Sequence, residues 1–408
     1  MDGDPDLTVT EALVARLEAE PGAFGRPRDL ARPAGWTLGE LELRMQRHYH
    51  ASASEMLARA RVARARRELI ATGKSFDEIG ADAGYAAPAA FQHDFRRRTG
   101  MGAESYRRLS GAARFTVELP RWYPQGRVLA YLGRDPESPL QRVDGCVLRF
   151  AIAMDGATAA ATVEIRPRRA VCEIAPAAGV PEAGWAPLVH ERLLRLLGLG
   201  VDPRPFERRM RRSAELRRLI DGQRGLTIPQ THDLVDGLIW VVVGQQVSLA
   251  VAFLLRRRLA ERFGSPLGGG LALLPPPATL AAARYDELTA IGFSRRKAEY
   301  LVDLARDAVA GDLDLAALER GSATAVERRL SAVRGLGPWS VQYLMMRALG
   351  FADCVPVGDV ALAAALARFF DLAERPAKAR VHELMEPFAP HRSLATFHLW
   401  NRLGEAKA

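Results

Sequence analysis

The chain has 408 residues, with 57 Lys and Arg against 48 Asp and Glu, a formal charge of +9. Such a length holds two to four domains of about 100 to 200 residues each, and the positive balance favours an anionic partner such as nucleic acid. No stretch of membrane-spanning length is free of charges, the acidic start MDGDPDLTVTEALVARLEAE lacks a charged-then-apolar leader, and Cys146, Cys172 and Cys354 lack metal-ligand spacing, so a reduced, cytoplasmic protein without a metal site is expected.

Residues 1–20 read as a polar N-terminal arm or the edge of a first helix. From Arg26 to about Leu109 the apolar spacing is helical. Leu57 to Ala71 predicts a long helix carrying Arg59, Arg61, Arg64, Arg66 and Arg67, a row that suits either a solvated face or contacts to DNA phosphates. Residues 75–106, SFDEIGADAGYAAPAAFQHDFRRRTGMGAESY, start a helix at Phe76 and turn at Gly84. A second helix begins at Pro88 and presents Phe91 and Phe95 inward, which makes a helix-turn-helix.

Ile79, Gly84, Tyr85, Phe91, Phe95, Gly100 and Tyr106 resemble the pattern of AraC-type DNA-binding domains, in which two such units are joined by a long helix; the domain spans 21–112. The resemblance implies DNA contacts at Ala89, Gln92, His93 and Arg96 of the second unit. In the first unit, Leu30 to Tyr49, Leu43 stands where that family often has a DNA-contacting arginine, and Ala53 and Ala103 stand where prolines are usual. The domain therefore suits either a regulator or a nonspecific tether that raises the local concentration of the remainder on DNA.

Over 115–205 the texture changes to FTVEL, RVLAYLGR, CVLRFAIAM, AATVEIRP and RAVCEIAP, which read as strands with turns at PQG, DPESP and MDG, followed by a helix from Pro187 to Leu197. This predicts a small α/β domain. Residues 206–408 return to helical spacing, with a loop from Gly264 to Pro277 dividing two helical halves. The fold class expected is multidomain and mainly α.

The segment from Leu330 to Val360, LSAVRGLGPWSVQYLMMRALGFADCVPVGDV, carries the most chemistry. Gly335 and Gly337 flank Leu336, so the backbone can turn with positive φ and aim N–H groups outward before a helix starting near Pro338. A turn of this kind, Arg334 to Gly337, can grip a phosphate. Trp339 and Tyr343 stand four apart on that helix, either as core or as one wall of a pocket. Asp359 precedes the helical stretch Val360 to Phe370, at an N-cap position.

These residues resemble the helix-hairpin-helix DNA glycosylases, and most closely the AlkA-type 3-methyladenine DNA glycosylase II family. The likeness also takes in GQQVS (Gly244 to Ser248), AIGFSRRKAEYL (Ala290 to Leu301) and FHLW (Phe397 to Trp400), and RVLAYL and RVDGC resemble early strands of that family's small domain. It implies hydrolysis of the N-glycosidic bond of alkylated purines in double-stranded DNA. A flipped base would be held by Trp339, Tyr343, Trp400 and Tyr131, with Gln246 as the wedge filling the gap in the stack. A base alkylated at a ring nitrogen is already cationic and leaves with little protonation, so Asp359 alone would suffice as the catalytic carboxylate. Trp339 stands where strand-cleaving relatives carry a lysine, so no lyase action is expected. No metal or cofactor is implied beyond a monovalent cation at the hairpin carbonyls near Arg334 and Leu336. A monomer is expected, with no membrane partner. The alternative is a transcription regulator of the alkylation response whose C-terminal half recognises damaged DNA without catalysis. Methyl transfer of the Ada kind would need cysteines before Cys146, and the chain has none.

Overall fold

The structure, a computed structural model, describes residues 4–179 and 184–405; the parts of the expected segments at 1–3, 180–183 and 406–408 lie outside the described residues. The N-terminal helices are α1 (Pro5–Ala19), α2 (Pro27–Ala31), α3 (Leu38–Tyr49), α4 (Ala53–Ala71), α5 (Phe76–Asp82), α6 (Pro88–Thr99) and α7 (Ala103–Arg107). Local chemistry sets their ends. Thr37 with Glu40 and Ser75 with Glu78 form capping boxes on α3 and α5, Pro88 opens α6, and Gly100, at φ 65°, closes it.

Of the two readings of 1–20, the described residues follow the helical one: Pro5–Ala19 form α1 rather than a polar arm. Asp4 caps α1 by accepting from the N–H groups of Asp6 and Leu7, and Leu7, Leu13, Val14 and Leu17 recur at helical spacing and are buried. The arginine row on α4 is also largely committed within the fold: Arg61 donates to the carbonyls of Phe24 and Gly25, Arg64 pairs with Glu68, and Arg66 bonds Tyr106 and Glu191.

The sheet that follows is antiparallel in the order β1-β5-β4-β3-β2, from β1 (Arg114–Glu118), β2 (Gln141–Asp144), β3 (Val147–Met154), β4 (Ala157–Arg166) and β5 (Arg169–Pro176). Helix α8 (Gln125–Leu132) interrupts the strand order. RVLAYLGR was expected as a strand, yet Val128, Leu129 and Leu132 fall on one helical face and are buried. A short apolar run fits either periodicity, and packing decides it here. Helix α9 (Trp185–Leu196) covers the sheet with Trp185, Val189 and Leu193.

The remaining helices are α10 (Arg204–Met210), α11 (Ala214–Ile220), α12 (Leu234–Val243), α13 (Leu249–Phe263), α14 (Pro277–Ala282), α15 (Tyr285–Ala290), α16 (Arg295–Ala310), α17 (Leu315–Arg320), α18 (Ala323–Ser331), α19 (Pro338–Arg347), α20 (Val360–Phe369), α21 (Lys378–Met385) and α22 (Arg392–Glu405). One apolar cluster joins α12, α13, α16, α18 and α19, and another joins α10, α11, α20, α21 and α22. The dividing loop expected at 264–277 contains a hairpin, β6 (Ser265–Gly268) and β7 (Leu271–Leu273). Gly268, Gly269 and Gly270 all take positive φ there, and Ala272 N–H reaches the Pro139 carbonyl of the sheet domain at 2.7 Å. No described helix is long and apolar enough to cross a membrane.

No free tether separates the N-terminal helices from the rest. One continuous core runs from Phe91, Phe95 and Tyr106 through Val117 to Ile165, Trp185 and Val189. Its polar seams are Glu118 N–H on the Gly100 carbonyl at 2.7 Å and His190 Nε2 within 2.7 Å of the Thr99 carbonyl. A second junction lies at α18. His48 Nδ1 stands 2.9 Å from Thr324 Oγ1, Ser322 Oγ donates to Glu11 at 2.7 Å, and the His50 ring meets Phe351 edge-on at 5.6 Å.

Because the two halves share that core, a chain starting after residue 112 is expected to lose its cooperative thermal transition; a soluble fragment melting cooperatively would show that the core divides there. Burial also pushes His190 down to about 4. The unfolded chain therefore takes up a proton as the pH drops below the ordinary histidine value of about 6.5 while the folded chain does not. Stability present above that value is lost toward pH 4, by about 3 kcal/mol in all. Melting temperatures at about pH 7.5 and about pH 5 should differ less in His190→Gln than in the parent protein.

Candidate active site

The hairpin between α18 and α19 is held by one glycine rather than two. Gly335 has φ 95°, and a Cβ there would sit 2.6 Å from the ring of Tyr300. Both the backbone angle and the space disfavour any other residue. Gly337, expected to share the positive φ, instead lies at φ −82° and ψ 175° as the N-cap of α19. It contributes no side chain, so the first turn of α19 starts without a side-chain cap. Arg334 sits exposed beside it, paired with Glu299 and Asp303 of α16, and Leu336 is buried beneath.

Gln245 ties the loop after α12 to this hairpin. Its Nε2 donates to the Gly335 carbonyl at 2.7 Å and to Ser340 Oγ at 3.2 Å. Next to it Gln246 is exposed in a left-handed conformation, φ 54°, with Val247 and Leu249 also exposed. Lys297 of α16 is buried and braces the same loop, donating to the Val243 carbonyl at 2.7 Å.

Asp359 occupies the N-cap of α20, accepting from Leu362 N–H at 2.5 Å. Asp359 is thus the N-cap that its position suggested, and two indoles also converge on it. Trp339 Nε1 donates to Oδ2 at 3.0 Å and Trp400 Nε1 to Oδ1 at 3.1 Å. Tyr343 lies between those rings, 5.3 Å from Trp339 and 5.9 Å from Trp400 at tilts of 35° and 38°. Its hydroxyl accepts from Trp240 Nε1 at 2.9 Å, which fixes the ring from behind. Three helices, α19, α20 and α22, thus meet at one half-buried acid bonded by two indole N–H edges.

Tyr131 shares the lining of a cavity with Tyr343 and Trp240 but makes no ring contact with Trp339 or Trp400 among the described residues. It meets Phe397, one turn before Trp400, at 5.2 Å, and its hydroxyl is bonded by Arg347. Burial alone would push the Tyr131 phenol up, but the neighbouring Arg134 and Arg347 guanidinium groups outweigh burial and hold it below its ordinary value. Trp240 and Arg347 escaped the sequence reading. Arg347 had a signal, four residues beyond Tyr343 on the same helical face, whereas Trp240 had none short of the packing itself. On the N-terminal side, Ala89, Gln92, His93 and Arg96 share the exposed face of α6. No group of three or more His, Cys, Asp or Glu able to hold a metal occurs among the described residues.

Residues 239–390 match the HhH-GPD superfamily of base excision DNA repair proteins, and residues 30–109 match a helix-turn-helix domain. The chain carries a base excision repair domain of the HhH-GPD superfamily behind an AraC-type helix-turn-helix domain. A DNA-3-methyladenine glycosylase of Bacillus subtilis is 26% identical over 70% of this chain and 96% of its own length. A probable bifunctional transcriptional activator/DNA repair enzyme AlkA of Mycobacterium tuberculosis is 27% identical over 98% of this chain and 82% of its own. The solved 3-methyladenine DNA glycosylase of Archaeoglobus fulgidus has the same fold, with a TM-score of 0.62 at 24% identity, covering 71% of this chain and 98% of that one.

Gly335→Ala is expected to cost about 1 to 3 kcal/mol through backbone strain and the Tyr300 ring, and to weaken DNA binding in the same variant. Thermal melts with a duplex-binding titration check this; unchanged stability and affinity would show that the turn tolerates a side chain.

Proposed function

We propose that this DNA glycosylase hydrolyses the N-glycosidic bond of alkylated purines, 3-methyladenine among them, in double-stranded DNA, and leaves the strand uncut. The observation that carries the reading is Asp359 held by two indole N–H groups at the edge of the Trp339, Tyr343 and Trp400 faces. A cationic base gains about 0.5 to 2 kcal/mol from each well-placed ring, and the carboxylate stabilises the positive charge that grows on the sugar. Gln246 fills the place of the extruded nucleotide, a task suited to an exposed tip on a loop that Gln245 fastens to the hairpin. Arg334, Leu336 and the glycines on either side hold a phosphate at the uncapped start of α19, and the Arg334 and Leu336 carbonyls suit a monovalent cation there. Excision without strand cleavage follows from the side chain at the head of that helix: Trp339 has no amine to form a Schiff base with the sugar.

The helix-turn-helix domain adds a second DNA contact. Gln92, His93 and Arg96 on the exposed face of α6 suit a major groove, whereas α3 presents Leu43 outward. Nonspecific duplex binding is the role this combination supports best.

Base release from purine-methylated duplex DNA is expected from the parent protein, with Asp359→Asn slower by about a hundredfold or more and still able to bind DNA. Equal release from the two would remove Asp359 from the chemistry. Strand scission without added base would refute the hydrolytic reading. For α6, Arg96→Ala should weaken binding of random and promoter duplexes alike; a loss confined to one promoter sequence would instead mark a regulator.

A further inference from the structure

The arginines of α4 are largely committed within the fold, whereas a second group, on α10 and α11, is not. Residues 204–224, RPFERRMRRSAELRRLIDGQR, hold eight arginines against three acids, a surplus of five in a chain whose whole surplus is nine. Phe206, Met210, Leu219 and Ile220 are buried against α20, α21 and α22, so helical periodicity turns Arg208 and Arg212 to solvent. Arg204, Arg211, Arg217 and Arg218 pair with Asp202, Glu207, Asp221 and Asp371. Arg208, Arg212 and Arg224 are exposed and have no ion pair or side-chain hydrogen bond among the described residues. A solvated helix face usually alternates its charges, and this one has no acids left to pair.

The same band continues onto the helices that carry the candidate site. Arg218 of α11, Arg368 of α20 and Arg402 of α22 line a groove of about 320 Å³ floored by Ala365, Phe369 and Leu399. Arg218 donates to the Phe369 carbonyl at 3.0 Å, and Arg402 to the carbonyls of Leu219 and Asp221 at 3.0 and 2.7 Å, so helix ends hold those two. Arg368 is exposed and unpaired among the described residues. It lies nine residues beyond Asp359 along α20, about 14 Å at 1.5 Å per residue. At its other end the band approaches the helix-turn-helix domain. Burial alone would push the Asp202 carboxyl up, but the bonds and charge of Arg204, joined by the charge of Arg97 on α6, hold it below its ordinary value. Arg97 is thus near enough to act on the head of α10.

We propose that the unpaired arginines of the α10–α11 segment and Arg368 of α20 form a track for duplex DNA that leads from the Asp359 site toward α6. This rests on the glycosylase reading for its partner, duplex DNA, and asks nothing of the chemistry at Asp359. Contacts of this kind position DNA without reading its sequence. Each phosphate neutralised releases condensed counterions, so affinity carried by the track falls steeply with salt. The track holds the enzyme on undamaged duplex, where a lesion has yet to be met, and it does so outside both the hairpin and the helix-turn-helix.

The test is equilibrium binding of the full chain to an undamaged duplex of about 30 base pairs over a range of salt concentrations. The proteins compared are the parent, Arg208→Ser/Arg212→Ser, Arg208→Lys/Arg212→Lys, Arg368→Ser and, as a control for net charge, Arg168→Ser/Arg169→Ser at the turn between β4 and β5. All five positions are exposed, so the variants are expected to melt as the parent does. The serine pair at 208 and 212 should lower the slope of log affinity against log salt by about 2 and weaken binding at about 0.1 M salt about tenfold or more. Arg368→Ser should lower the slope by about 1, and the lysine pair, which keeps the charge, should restore most of the parent's slope. A slope that stays at the parent's value, or that the control pair lowers as much, would mark a solvated face acting only through net charge, and overturns the proposal. Base release from purine-methylated duplex by the parent tests the glycosylase reading separately, and its absence would leave the slopes to decide the track.

Discussion

The arrangement depends on one carboxylate shared by three helices. Asp359 caps α20, and its two oxygens take the indole N–H groups of α19 and α22. An acid free to rotate could not serve a reaction in which charge appears at one carbon for an instant, because preorganised groups act without reorganising as the charge develops. Here the same bonds that orient the acid fix the tryptophan rings around it. The tilt of those rings follows from Tyr343, which Trp240 holds from behind. Loss of any one member would loosen the others.

The direction of α19 is set farther back, at the hairpin. Gly335 lies flat on Tyr300 of α16, and the carbonyl of Gly335 is taken by Gln245 from the loop carrying Gln246. The hairpin turn, the Gln246 loop and the start of α19 therefore belong to one mechanical unit. The N-terminal domain is joined to this unit at two places, through the core shared with the sheet and through α3 against the start of α18. With α18 leading directly into the hairpin, the helix-turn-helix domain moves with the glycosylase rather than hanging from it. The sharing of work between its two units follows: the C-terminal end of α3 packs inward, while α6 keeps a polar face outside.

Features encoded within a few residues could be read from the chain. The second helix-turn-helix, the long α4, the strands from Cys146 onward and the cap at Asp359 each rest on turn residues, caps or alternation over a short window. What depended on distant partners could not. RVLAYL satisfies strand and helix alike until the sheet offers it a face to cover. The start of the chain looked like an arm because its acidic residues dominate, while the spacing of Leu7, Leu13, Val14 and Leu17 became meaningful only against α3 and α4. Gly337 resembled Gly335 in sequence yet lies at an ordinary φ, since one positive angle completes the turn. What places Tyr131, a bond from Arg347 216 residues away, has no trace in any short window.

Groups of opposite charge flank these rings as a result of the long-range contacts. At the outer end stands an acid, at the inner end two guanidinium groups, and between them lie rings that offer electron-rich faces to either side. Heterolysis of a glycosidic bond makes charge of the same polarity: the sugar becomes positive and the base becomes negative, or less positive than it was. An acid at the sugar end lowers the barrier for every base, so it cannot choose among them. Buried arginines are costly unless paired, and the phenol of Tyr131 compensates only part of that cost for Arg347.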